Sequence, residues 1–181
     1  MSRTFIVALF ASLFCLNGYG QSCLPNGITF VTQVDIDNFA MNYPGCTAIE
    51  GDVNITAYPV QSAIDNLQGL SVLTAIGGSL LISDQPNLIS LAGLDNLTSI
   101  GKDLQIEYMN ALPNLNGLQN LSTVGGDLTI KEVRVQDLSN LSSLTSVGSL
   151  LLWYNPILTH LGNFQNVTKL DRGLAIVANP S

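Results

Sequence analysis

The sequence predicts a mainly β solenoid with coils of about 24 residues, parallel strands and a short capping helix near its N-terminus. Three observations carry that expectation. First, a block with apolar residues at every third position recurs at 67–76, 91–100 and 115–124, and again at 138–147 and 161–170. Second, each block passes into a short segment with apolar residues two apart, ending at Ile82, Ile106, Ile130, Leu152 and Ile176, in steps of 24, 24, 22 and 24 residues. Third, a spacing of three fits neither an α-helix nor a coiled-coil heptad, and Gly or Pro falls inside every repeat.

Taken in chain order, residues 1–20 have the layout of a secretory signal peptide. Arg3 precedes an apolar run over 5–16, and Gly18 and Gly20 supply the small residues that a signal peptidase reads. The run is too short to span a bilayer, which takes about 20 residues. Bulky Phe14 before Cys15 argues against lipidation, and no later stretch is long enough for a transmembrane anchor. Cleavage would leave Gln21 first and two cysteines, Cys23 and Cys46, which an exported chain is expected to join. Such a loop contributes about 3 kcal/mol through lost chain entropy. Between them, Thr32 is a plausible N-cap with Asp35 as its capping-box partner. Ile36, Phe39, Ala40 and Tyr43 form one apolar stripe, and Pro44-Gly45 ends the helix. Residues 21–50 therefore read as an N-terminal cap and 51–181 as solenoid repeats. The first repeat strand ends at Ile55, and a small insertion follows near 58–63. Segments such as Leu80-Leu81-Ile82, Leu104-Gln105-Ile106 and Leu128-Thr129-Ile130 read as strand cores. Stacked coil on coil, they form a parallel sheet with inward Leu columns.

The composition narrows the chemistry. Asp and Glu number 13 against 6 Lys and Arg, a net charge of −7, which opposes nucleic-acid and anionic-membrane binding. The one histidine, His160, lies far from any cysteine and has no repeat column, so it reads as a surface residue. No nucleophile elbow, phosphate loop or metal motif is present; neither catalysis nor a cofactor nor a metal is expected. Asn-x-Ser/Thr occurs at Asn54, Asn96, Asn120, Asn140 and Asn166. Four of these are expected to share one repeat column, so a structural ladder explains them better than glycan attachment. Asp52, Asp103 and Asp127 open successive strands where other copies have Ser79, Ser149 and Gly173, which favours turn residues over a cation site.

The motif Leu-x-Gly-Leu-x-Asn-Leu-Thr-x-Ile-Gly-Gly-x-Leu-x-Ile resembles the receptor L-domain family of leucine-rich-repeat-like solenoids, with bacterial secreted surface proteins looking closest. The opening, with Cys23, Phe30, Phe39, Cys46 and Val53, is similar to the N-terminal cap of such proteins. The resemblance covers the chain from Cys23 onward and implies a right-handed LRR-like or β-helix-like solenoid that is exported and acts by binding. Residues 178–181 align with 84–87 in mid-coil, so the array is expected to be incomplete, a truncated member without a C-terminal sorting domain. Its uncapped end is expected to self-associate.

The positions that vary within this repeating frame are the outward ones of each strand. Gln105, Glu107, Tyr108, Thr129, Lys131, Leu151, Trp153 and Tyr154 are expected to lie side by side as a candidate ligand face. The sequence thus points to a secreted or cell-surface, non-catalytic binding or adhesion module for an extracellular protein or carbohydrate. A structural spacer presenting a C-terminal module is the alternative, and a β-helix carbohydrate-active enzyme a weaker third reading.

Overall fold

The computed structural model describes residues 21–58, 64–162 and 164–179. The expected leader over 1–20, and most of the insertion near 58–63, lie outside the described residues. The chain winds into a β-solenoid whose strands pair in parallel throughout. Each coil supplies two strands to two ladders. The first ladder stacks Gln21–Cys23, Cys46–Ile49, Ala75–Ile76, Ser99–Ile100, Thr123–Val124 and the start of Ser146–Trp153. The second stacks Ile28–Phe30, Val53–Thr56, Leu80–Ser83, Leu104–Glu107, Asp127–Lys131 and the end of Ser146–Trp153. Lys169–Val177 lies beyond Ser146–Trp153 and extends both ladders.

The expected strand cores all lie in the second ladder. The first ladder is an addition: Ile76, Ile100 and Val124, expected only as apolar columns, close strands of two residues. Glycine corners join the two ladders. At Gly101 a Cβ would lie 2.2 Å from the Gly77 carbonyl oxygen one coil below, so stacked corners admit no side chain. The 22-residue step has a local cause. One residue is lost in the turn after Asp127–Lys131, where Leu138 follows Ile130 by eight residues and not nine; the other is lost at the corner, where Gly125-Gly126 becomes a single Gly148 and Ser146–Trp153 runs through the bend as one eight-residue strand. The third side of the coil is made of turns, with 3-10 turns at Gln68–Leu70 and Ser139–Leu141.

The interior is a set of aliphatic columns. Leu67, Leu91, Leu115 and Leu138 stack in one, Ile82, Ile106, Ile130 and Leu152 in another, and all are buried. Each buried Leu or Ile contributes about 1.5–3 kcal/mol relative to exposure, and each needs the next coil to cover it.

Both strands of the first coil, Gln21–Cys23 and Ile28–Phe30, join the ladders, so the sheets extend back to Gln21. The helix forms with the expected capping box. The Thr32 hydroxyl accepts from the Asp35 N–H at 3.2 Å, and the Asp35 carboxylate accepts from the Thr32 N–H at 2.9 Å. It breaks at Asn38 (φ −93°, ψ 2°) into Gln33–Asp37 and Phe39–Asn42. Ile36 and Phe39 are buried, but the break shifts the phase and leaves Ala40 exposed, against the expected stripe. The helix stacks on the 3-10 turn of the following coil, where a Cβ on Gly69 would sit 1.9 Å from the Ile36 carbonyl oxygen. Cys23 and Cys46 form the disulfide, joining neighbouring first-ladder strands at a Cα–Cα distance of 5.7 Å.

Candidate ligand face

The second ladder fixes its outward side chains by register. Asn54, Leu81, Gln105, Thr129, Leu151 and Ala175 fall opposite one another, and so do Thr56, Ser83, Glu107, Lys131, Trp153 and Val177. Neighbours within each row are about 4.8 Å apart. Gln105, Glu107, Thr129, Lys131, Leu151 and Trp153 therefore share one surface. Ser83 departs from the outward row: it is buried, with its hydroxyl 3.4 Å from that of Thr56.

Tyr108 and Tyr154 follow the strand ends, in the left-handed backbone region at φ 56° each. Asp84 and Glu132 take the same place and conformation, at φ 55° and 53°, and they complete a ridge of alternating carboxylates and phenols, Asp84, Tyr108, Glu132, Tyr154. The two carboxylates were missed in the sequence, although their offset of one residue past each strand was there to be read. Only Gly takes φ above zero without cost, so a run of such residues records a turn imposed by coil stacking.

Charges and rings interlock on this surface. Lys131 Nζ donates to the Tyr108 hydroxyl at 2.6 Å and lies 4.8 Å from the ring centroid, a cation–π contact. The hydrogen bond to Tyr108 holds the Lys131 ammonium above its ordinary range, and the carboxylates of Glu107 and Glu132 add to the effect. Trp153 and Tyr154 remain 38% and 53% exposed at the C-terminal side of the patch. At the other side, Ala57, Tyr58, Asp84 and Pro86 line a cleft of about 450 Å³.

The remaining polar columns are accounted for by backbone bonding. Asp52 and Asp103 each accept, at 2.8 Å, the N–H of the corner residue one coil on, Ser79 and Asp127 respectively. Burial pushes the Asp127 carboxyl up, but hydrogen bonds from Arg172 and Ser149 and the Arg172 charge outweigh it, and the group titrates below its ordinary value. Among the described residues no three His, Cys, Asp or Glu side chains converge as a metal group.

The Asn-x-Ser/Thr motifs resolve into two ladders two residues apart. The amides of Asn96, Asn120 and Asn166 donate to the carbonyls of Ser71, Asp95 and Ser142 one coil below, at 2.7–2.8 Å. The hydroxyls of Thr98, Ser122 and Thr168 donate likewise to Thr74, Thr98 and Thr145. Asn140 was expected in the Asn column but lies outside it, and its amide donates to Asn116 Oδ1. The cause is position in the repeat: Asn140 stands one residue before the buried Leu141, whereas Asn96 stands two residues after Leu94. His160 is exposed, as expected, yet it has a neighbour, pairing with Asp137 in an isolated parallel bridge.

Residues 45–112 match the Receptor L domain family, a stretch that begins just before the second first-ladder strand and ends in the turn after Leu104–Glu107. No curated protein and no solved structure gives a significant match. No helix among the described residues is long and apolar enough to cross a membrane.

Proposed function

We propose that this chain is an exported, non-catalytic binding module that engages an extracellular protein or carbohydrate through the outer face of its second ladder. The observation that carries the reading is the register that sets Trp153, Lys131 and Glu107 in one row beside the Asp84–Tyr108–Glu132–Tyr154 ridge. Elsewhere the polar side chains at the corners and in the Asn and Thr columns are engaged in holding one coil to the next. This face instead presents aromatic rings and charges of both signs to solvent, the composition of recognition patches. The family match over 45–112 supports a binding role, and the Cys23–Cys46 disulfide fits an oxidising compartment.

The test is a glycan and protein array probed with the wild-type chain, then titration of any hit against Trp153→Ala. The variant is expected to lose about 2 kcal/mol or more of binding with an unchanged circular dichroism spectrum. Unaltered affinity would place the site elsewhere. Silence on every array would favour the spacer reading.

A further inference from the structure

The ridge beside the candidate face repeats one small motif, a phenol next to a carboxylate, and answers it with a cation only once. The N–H groups of Tyr108, Glu132 and Tyr154 donate to the Lys131, Trp153 and Val177 carbonyls at 2.9–3.0 Å. The ridge therefore keeps the spacing of the ladder, about 4.8 Å per rung. At its centre the chain supplies the cation itself: Lys131 Nζ lies 4.8 Å from the Tyr108 ring centroid, within the field of Glu107 and Glu132. On either side the pairing recurs with no cation from the chain. Tyr154 is 53% exposed one rung beyond Glu132, and Tyr58, 77% exposed, lines the cleft of about 450 Å³ together with Asp84. Asp84 and Glu132 are both exposed, and neither joins an ion pair among the described residues. The cations are engaged elsewhere: Lys102, Lys169 and Arg172 pair with Asp52, Asp171 and Asp127, and Lys131 is held by Tyr108. Arg134, exposed two residues past Glu132, forms no ion pair with it.

We infer that the partner of this face is a basic segment of another protein, with Lys or Arg side chains set against Asp84 and Glu132 and over the rings of Tyr58 and Tyr154; this rests on the second-ladder face being the binding surface. Three features select that partner. The chain has a net charge of −7, and these two carboxylates lack counter-charges of their own. Lys131 and Tyr108 display the mode, since a cation over a phenol ring beside a carboxylate gains a cation–π contact and an ion pair together. Asp84 and Glu132 stand two rungs apart, about 9.6 Å, so one short segment reaches both. A neutral glycan gains less here. It leaves both carboxylates uncompensated, and the Tyr108 ring already has Lys131 over it.

The test is fluorescence anisotropy with a labelled eight-residue peptide of alternating Arg and Gly, at an ionic strength of about 0.15 M. The wild-type chain is expected to bind. Asp84→Asn with Glu132→Gln is expected to weaken binding about tenfold, and Tyr154→Ala about threefold. Asp37→Asn with Asp65→Asn removes the same charge from exposed positions off the ridge. It is expected to leave the affinity within about twofold, because distant surface charges are screened. Asn and Gln keep the size of the residues they replace, and Asn tolerates the left-handed backbone, so both double variants are expected to keep the wild-type circular dichroism spectrum. No binding by the wild-type chain, or equal loss in the two double variants, overturns the inference. So does a neutral glycan from the array whose binding is lost in Trp153→Ala and kept in Asp84→Asn with Glu132→Gln; that result keeps the face as the binding surface and changes its partner. Peptide binding that neither the ridge variants nor Trp153→Ala alter places the site elsewhere and overturns both readings.

Discussion

At the scale of single residues, the polar groups that matter most are those turned inward. Asn155 is fully buried in a column otherwise filled by Gln85, Met109 and Val133. Its Oδ1 accepts from the Val133 N–H at 3.0 Å, and its amide donates to the Ile130 carbonyl and to Asn179 Oδ1, both at 3.0 Å. One side chain thus satisfies backbone groups in the coil below and ties in the coil above. Asn155→Ala is expected to cost about 2–3 kcal/mol in urea unfolding, because it strands buried donors and acceptors. Asp35 provides a pH reading. The Thr32 hydroxyl bond, assisted by the Thr32 and Val31 N–H groups against opposing desolvation, lowers its carboxyl. A lowered folded-state value means that the stabilisation is complete above the unfolded value, about 3.9, and is lost as pH falls below it. Thermal unfolding of wild type and Asp35→Asn is therefore expected to differ near neutrality and to converge in acid. The Asn-x-Thr motifs make the complementary point: a sequence pattern that reads as an acceptor site is two unrelated backbone ladders that happen to run two residues apart.

At the scale of the element, the second-ladder strands were legible because each sets inward apolar residues two apart, as in Val53/Ile55, Leu80/Ile82, Leu104/Ile106, Leu128/Ile130 and Leu150/Leu152, and because those pairs recur once per coil. The central first-ladder strands Ala75–Ile76, Ser99–Ile100 and Thr123–Val124 were not, since a strand of two residues has no period. Their Ile and Val side chains enter the sequence only as the last step of a spacing of three. The register of the candidate face was legible for the same reason as the strands, while Asp84 and Glu132 stand one residue past the strand ends, in left-handed turns outside the alternating pattern. The helix was visible from its cap, but its break at Asn38, next to the close approach of Ile36 to Gly69, was not. Turn glycines carry a sharper expectation. Gly117 sits at φ +115°, and a Cβ there would lie 2.0 Å from the Leu91 carbonyl oxygen. Gly117→Ala is expected to destabilise by about 2–3 kcal/mol, measurable as a shift in denaturation midpoint.

At the scale of the whole molecule, stability is a chain of nearest-neighbour contacts, with no single central core. Amide exchange protection is expected to be highest in Leu104–Glu107 and Asp127–Lys131, which have coils on both sides. It is expected to decline through Lys169–Val177, where Leu174 and Ile176 meet solvent. Uniform protection out to Ile176 in a monomeric sample would contradict this picture. Reducing Cys23–Cys46 is expected to remove about 3 kcal/mol and to lower protection at Gln21–Cys23 ahead of the central coils.

The same architecture has a mechanical meaning. A pull applied between the first and last coils acts along the stacking axis, in line with the ladder hydrogen bonds and across the strands, so it loads rungs one after another instead of shearing many at once. The molecule should yield by peeling from the tail, each coil of about 24 residues paying out roughly 80 Å of chain. The stitch between Cys23 and Cys46 holds 23 residues of separation out of that extension. In an oxidising setting the first coil therefore stays wound while its neighbours unspool, and it remains as a formed end onto which the relaxed chain can rewind.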